Sequence, residues 1–126
     1  TNEPLTGIGF GMGDVTLQNF LESWNLLPKL QQGVEFFVCT WPSTDQEFFN
    51  KSAQIAQEIR QKGKSASLWL ETETNLDKQL KSAATKNARF AVIIGESELN
   101  EGKVTIKDMA SKTQQTFGEK EFLQTL

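Results

Sequence analysis

Between Val34 and Gly95 the apolar residues change period repeatedly, and that alternation constrains the fold more than any other feature of the chain. Val34-Glu35-Phe36-Phe37-Val38-Cys39-Thr40 is a strand-length run closed by Trp41-Pro42. Ser43, Thr44 or Asp45 then caps a helix whose Phe48, Phe49, Ser52, Ile55, Ala56 and Ile59 recur every three or four residues up to Lys62-Gly63. Ala66 to Glu71 gives a second strand, and a helix from about Asn75 places Leu76, Leu80, Ala83 and Ala84 on its buried side. Arg89 to Gly95 is a third strand, and the unbroken Phe90-Ala91-Val92-Ile93-Ile94 suits a central position covered on both faces. Beyond it, alternation in Val104-Thr105-Ile106-Lys107, a turn at Ser111-Lys112 and a return through Gln115-Thr116-Phe117 describe a hairpin, and a last helix covers Glu119 to Leu126.

A βαβαβ unit with right-handed crossovers, extended by a hairpin, predicts an α/β domain of three layers, α/β/α, around a mixed five-stranded sheet. It occupies residues 34–126. Residues 1–33 stand apart: Gly7, Gly9, Gly11 and Gly13 lie in a strand-turn pattern, Val15 to Leu27 follows as an amphipathic helix, and Pro28 to Gly33 forms a linker. No internal repeat interrupts either part, and 126 residues suit one compact domain with an appendage.

The chemistry the chain can perform is narrowed by what it lacks. It has no histidine and one cysteine, Cys39, which removes histidine acid/base catalysis, Cys/His zinc sites and an intrachain disulfide, and fits a reducing, cytoplasmic setting. Ser65, Ser67 and Thr40 have no imidazole to activate them and no G-x-S-x-G elbow. Gly7-Ile8-Gly9-Phe10-Gly11-Met12-Gly13 matches neither the dinucleotide loop nor a phosphate loop ending in G-K-[ST]. It reads instead as a strand whose small residues admit a close neighbour. The carboxylate pairs Glu71/Glu73 and Glu96/Glu98 stand at strand ends, where most such groups are solvated or cap helices. No run approaches the roughly 18 apolar residues of a membrane helix, and the start at Thr1 shows no signal-peptide pattern, so the expectation is a soluble protein without membrane contact.

Thirteen Lys plus Arg against 16 Asp plus Glu give a formal charge of −3, so attraction to a polyanion must be local. Lys78, Lys81, Lys86 and Arg89 fall within twelve residues that contain no acid. The simplest account is the solvated side of the second helix, but Lys103, Lys107 and Lys112 on the hairpin extend the basic stretch, and Gln79 and Asn87 add polar groups suited to base edges.

Several segments in order, Leu76-Asp77-Lys78-Gln79-Leu80-Lys81-Ser82-Ala83, then Ala88 through Ile93-Ile94-Gly95-Glu96-Ser97-Glu98-Leu99, then Gly102-Lys103-Val104-Thr105-Ile106-Lys107-Asp108-Met109, resemble the C-terminal anticodon-binding domain of the histidyl-tRNA synthetase family over residues 34–126. The glycine segment similarly resembles the last strand and helix of the class II catalytic core. Where that family follows the glycines with a Glu-Arg pair whose arginine helps bind ATP, this chain has Asp14-Val15-Thr16, with Thr16 at the arginine position. The resemblance implies a homodimeric parent ligase that uses ATP and magnesium to join histidine to tRNA(His). It implies that these residues, lacking the other catalytic motifs, need no cofactor and perform no ligation alone.

In related class IIa domains the glutamate of G-x-x-E and the basic residue of G-x-V-x-[IV]-[KR] face anticodon bases, which carries over to Glu98 and Lys107. A carboxylate accepts from the N1–H and N2–H edge of guanine, present twice in the histidine anticodon GUG, and an ammonium serves O6, O4 or phosphate. Gln79, Asn87 and Glu73 are further anticodon candidates, and Lys78, Lys81 and Arg89 are candidates for the RNA backbone. Two other readings compete: an accessory module that contacts RNA or protein without base specificity, and a flavodoxin-like small-molecule domain with ligands near Thr40, Glu71 and Gly95.

Overall fold

The computed structural model describes Pro4, residues 6–28 and residues 33–126. The chain divides into two units, Thr1–Gln31 and Gln32–Leu126. In the first, Thr6 to Gly13 is described without strand pairing, so the expected glycine strand is not formed there. Helix α1 spans Asp14–Ser23 rather than running on to Leu27. Its stop is a Schellman arrangement: Asn25 takes a left-handed φ of 52°, its N–H bonds the carbonyl of Glu22, and the N–H of Leu26 bonds that of Leu21. Asparagine tolerates this conformation better than most residues, which a search for glycine stops overlooks. Most of the expected linker, residues 29–32, lies outside the described residues.

The second unit is built from β1 (Phe36–Val38), α2 (Gln46–Gln61), β2 (Ala66–Leu68), α3 (Leu76–Thr85), β3 (Phe90–Ile93), α4 (Glu96–Glu101), β4 (Lys103–Asp108), β5 (Gln114–Gly118) and α5 (Glu119–Gln124). The strands form one sheet in the order β2-β1-β3-β4-β5. β1 runs parallel to β2 and β3, while β4 is antiparallel to both β3 and β5. The mixed five-stranded sheet is therefore as the residue pattern predicts, although the first three strands are shorter than their apolar runs. Helix α4 is additional to that pattern: six residues with one apolar member, Leu99, carry no periodic signal, and its bounds come from Gly95 at the N-cap and left-handed Gly102 at the C-cap.

Alternation along the strands divides the core into two layers. Phe36, Val38, Val92, Ile94, Val104 and Ile106 face α2 and α5, meeting Ile55, Ala56, Ile59 and Phe122. Phe37, Cys39 and Ala91 face the other way, toward Trp69 and α3, with Leu76, Leu80, Ile93 and Met109 packed around them. Lys51 ties α2 to α5 through Glu119, its Nζ 2.8 and 2.6 Å from the two carboxylate oxygens.

The helices begin and end on their own chemistry. Asp45 accepts from the N–H of Glu47 to cap α2, and Asn75 accepts from that of Lys78 to cap α3. Gly63 and Asn87 terminate them in the left-handed region, each with the paired carbonyl bonds seen after α1. Within α3 the buried positions are Gln79 and Ala83; Ala84, expected inside, is exposed.

Phe37 is fully buried between β1 and α3, so Phe37→Ala is expected to remove about 3–5 kcal/mol from the unfolding free energy in urea. Ala84→Glu, on the outer side of the same helix, is expected to change it by less than about 0.5 kcal/mol. A comparable loss from both would contradict this division of α3 into inner and outer sides.

Candidate functional site

The helix layer over the Phe37 side of the sheet reaches only part of the way across. Because Val104 and Ile106 face α2 and α5, Thr105 and Lys107 project from the opposite side. Register sets Thr105 beside Ile93 and Thr116, and Lys107 beside Ala91 and Gln114. Gln114 and Thr116 are exposed. The outcome is a polar half-sheet on β4 and β5, next to α3, with no helix of its own.

Glu98 stands at its edge. It is the third residue of α4, half-buried, and Oε1 accepts 2.9 Å from Thr105 Oγ1 while Oε2 accepts 2.9 Å from Ser97 Oγ. Partial burial alone would raise the carboxyl pKa, but the backbone N–H of Glu98, both hydroxyls and the N–H of Gly95 overcome it and hold the group below its ordinary value. The N3 glutamate is folded back toward its N-cap, the position it takes in a capping box, with its carboxylate hydrogen-bonded to Thr105 and Ser97. It also explains the glycine: a Cβ at residue 95 would lie 2.8 Å from Glu98 Oε2. The G-x-x-E spacing thus encodes an oriented carboxylate. Lys107 is two positions along β4 from Thr105, about 7 Å by strand geometry, so it and the Glu98 carboxylate that Thr105 holds belong to the same side of the sheet without a direct contact.

The remaining candidates disperse. Gln79 is fully buried: its Oε1 accepts from the N–H of Thr40 at 2.9 Å, and its Nε2 donates to the carbonyls of Thr40 at 2.8 Å and Thr74 at 3.4 Å. Its amide completes the backbone where β1 gives out, a structural role in place of the expected base contact. Asn87 is the left-handed stop of α3, at the sheet end where β1 and β3 begin and away from Glu98, and Gly33 packs on its carbonyl. Glu73 occupies a left-handed turn after β2, on the far side of β1 and β3 from β4.

The expected basic patch divides as well. Lys78 is exposed on α3 but engages Glu71 at 2.9 Å, its Nζ 5.9 Å from the Trp69 ring centre. Lys81 is exposed on the same helix. Arg89 stacks 4.9 Å from the ring centre of Phe90, which packs with the α2 and α5 layer, so its guanidinium leaves the face that carries Lys107. Asp108 is a structural member of its motif: it accepts from the N–H groups of Ser111 and Ala110, and the Ser111 bond above all keeps its pKa below the ordinary value.

Two features close off other chemistry. Burial pushes the Cys39 thiol up to about 12, despite Lys107 pulling it down, so it is no nucleophile at neutral pH. At the strand ends near Thr40 and Glu71 there is a shallow pocket of about 230 Å³, but its inner polar groups are already paired: Thr40 Oγ1 donates to the Trp69 carbonyl, and Ser43 Oγ donates to the Thr74 carbonyl and accepts from the Thr74 N–H.

Residues the spacing did not mark as part of a site are Thr105 and Thr116. The available signal was the polar member of the Val104-Thr105-Ile106 alternation and its hairpin partner.

Gln79→Ala strands the Thr40 N–H in the core and is expected to cost about 1–3 kcal/mol in chemical unfolding. For Glu98 the folded pKa is depressed, so its contribution is fully present above its ordinary value of 4.5 and is lost as pH falls through the folded one. Stability measured against pH is expected to fall less steeply on the acid side in Glu98→Gln; an unchanged slope would show that these hydrogen bonds do not stabilise the ionised form.

Residues 35–126 match the family model described as anticodon binding domain. Over all 126 residues the chain is 43% identical to the histidine–tRNA ligase of Leptospira biflexa, covering 28% of that protein. It is 37% identical over 106 residues, or 84% of this chain, to the chloroplastic/mitochondrial histidine–tRNA ligase of Arabidopsis thaliana, covering 21% of it. The chain therefore spans about a quarter of the length of these relatives. A crystal structure of histidyl-tRNA synthetase from a Nostoc species superposes with a TM-score of 0.66 at 24% identity, over 88% of this chain and 26% of that one, and shares the fold. With a mixed five-stranded α/β unit and a family match over residues 35–126, the chain belongs to the anticodon binding domain family.

Proposed function

We propose that this chain is the tRNA-reading part of a histidine–tRNA ligase and that it recognises the GUG anticodon of tRNA(His) on the open half of its sheet. The observation that carries the reading is the Glu98 carboxylate, ionised and oriented by Thr105 and Ser97, with Lys107 further along the same face of β4. A fixed acceptor paired with a nearby cation suits guanine, whose Watson–Crick edge sets N1–H and N2–H donors beside the O6 acceptor. Unstacked anticodon bases offer that edge, and a largely preformed sheet binds it without a large ordering cost. Lys81 on α3, with Lys78 next to it in an exposed ion pair with Glu71, supplies a modest attraction to the backbone phosphates. Gln79, Asn87, Glu73 and Arg89 have no place in this arrangement.

In the same proposal ligation belongs to the whole protein, a cytoplasmic homodimer like the one the resemblance implies. The residues of this chain do not fit ATP or magnesium: the glycine segment lacks a phosphate-loop lysine, Thr16 replaces the arginine, and among the described residues no three His, Cys, Asp or Glu side chains gather as metal ligands. Among the described residues no helix is long and apolar enough to cross a membrane.

Titrating the chain with an RNA stem-loop bearing GUG, and with loops in which each anticodon base is changed, at two salt concentrations, tests the reading. Glu98→Ala is expected to cost about 1–3 kcal/mol for the GUG loop and little for loops without guanine. Lys81→Ala is expected to weaken every loop alike and flatten the salt dependence. Equal binding to all loops, collapsing with salt, would reject anticodon reading in favour of a nonspecific RNA-binding module.

A further inference from the structure

Thr105 and Thr116 lie opposite one another on β4 and β5, and their hydroxyl oxygens are 2.8 Å apart. Either could donate if the pair stood alone, but it does not. Thr105 Oγ1 is also 2.9 Å from Glu98 Oε1, and an ionised carboxylate only accepts. A hydroxyl has one proton, so the proton of Thr105 is committed to Glu98. The bond between the threonines must then be donated by Thr116, whose proton points inward. What Thr116, exposed on β5, presents to the outside is lone pairs alone.

The geometry points to the Thr105–Thr116 hydroxyl pair as a specificity device that fixes Thr116 as an acceptor for the outer N2–H of a guanine whose N1–H and inner N2–H are held by Glu98. The assignment rests on the anticodon reading above and adds to it which atoms discriminate. Guanine is the common base that carries an exocyclic amino group beside an imino N–H. The two hydrogen bonds of good geometry that the Glu98 carboxylate accepts come from Thr105 and Ser97, one to each oxygen, which leaves a lone pair on each for the base, while the N–H groups of Glu98 and Gly95 favour the charge from nearby without such a bond. Thr105 is a positioning residue: 7% exposed, it acts through Glu98 and Thr116. Thr116 is the contacting one. A free hydroxyl at that place would rotate to donate or accept and so tolerate either kind of base edge, whereas one polarised through Thr105 rejects a base that offers only an acceptor there.

The test compares stem-loops carrying guanosine or inosine in turn at each G of the GUG loop, since inosine lacks the N2 amino group and keeps N1–H and O6. At one position the unaltered chain is expected to bind guanosine at least tenfold tighter than inosine. Thr116→Val, an exposed change that leaves the core intact, is expected to bring the ratio below threefold by weakening guanosine binding. Thr105→Val should lower the ratio too, with Thr105→Ser restoring it; circular dichroism and urea midpoints identify any variant that fails to fold, in which case Thr116→Val decides. If Thr116→Val keeps the original ratio while Glu98→Gln loses the preference for guanine over adenine, the hydroxyl pair is excluded and anticodon reading stands. An unaltered chain that prefers guanosine to adenosine but not to inosine excludes the pair in the same way. If it binds all loops equally, or none, both the pair and the reading it rests on fail.

Discussion

How far α3 reaches across the sheet determines what the rest of this surface does. Ala83, Ala88 and Ala91 let the helix settle closely on β1 and β3, where Phe37 and Cys39 fill the space beneath it. Fully covering β4 and β5 would need a further element on that side, yet the chain turns its remaining apolar residues, Val104, Ile106, Phe117 and Phe122, to the other layer. The consequence is a sheet whose central strands β1 and β3 are covered on both faces, while β4 and β5 are covered by helices on one. The uncovered part must carry side chains compatible with water, and Gln114, Thr116 and the half-buried Lys107 are polar for that reason before any ligand is considered, while the buried Thr105 is polar with its hydroxyl satisfied by Glu98 and Thr116.

In Glu98 a local folding requirement and the proposed recognition of a base share the same atoms. Returning over its own N-cap helps start a six-residue helix too short to be stable alone. The same return orients the carboxylate toward the open strands, and Gly95 must lack a side chain for it to occur. The charge it keeps is modestly desolvated and well supplied with donors, so it is poised to accept from a base without being reorganised. Against this, the basic residues offer little: the net charge is −3, Lys78 is engaged with Glu71 and Arg89 lies against Phe90. Selectivity on such a surface comes from placed acceptors more than from general attraction to phosphate.

The period of the apolar residues was enough to read the five strands, the parallel-then-antiparallel pairing and the two long helices of the second unit, since burial on two faces leaves near-continuous strands and burial on one leaves alternation; the order of the strands came from the structure. It was not enough for α4, which is bounded by two glycines and carries one apolar side chain, nor for the ends of α1 and α3, which rest on left-handed asparagines. Gln79 was misjudged for an instructive reason. Its neighbours Lys78 and Lys81 are exposed, and a polar side chain between them reads as surface, yet the helix turns it inward to satisfy Thr40 beyond the end of β1. Arg89 lies over Phe90 rather than beside Lys107; charge counted along a sequence says nothing of the face to which a long side chain bends. Glu98 and Lys107 are proposed from their motifs, and the structure adds the orientation of Glu98; Thr105, which holds that carboxylate, became visible only once the hairpin register was known.

The most direct test of the open half-sheet as the RNA-binding surface is to map backbone amide NMR shifts of this chain during titration with the GUG stem-loop. The account predicts that changes concentrate at residues 95–98, 104–107 and 114–117, with the N-terminal turns of α3 responding to the phosphates. Changes centred instead on the strand-end pocket around Thr40, Asp45 and Glu71, or on residues 86–89 at the other end of α3, would contradict it.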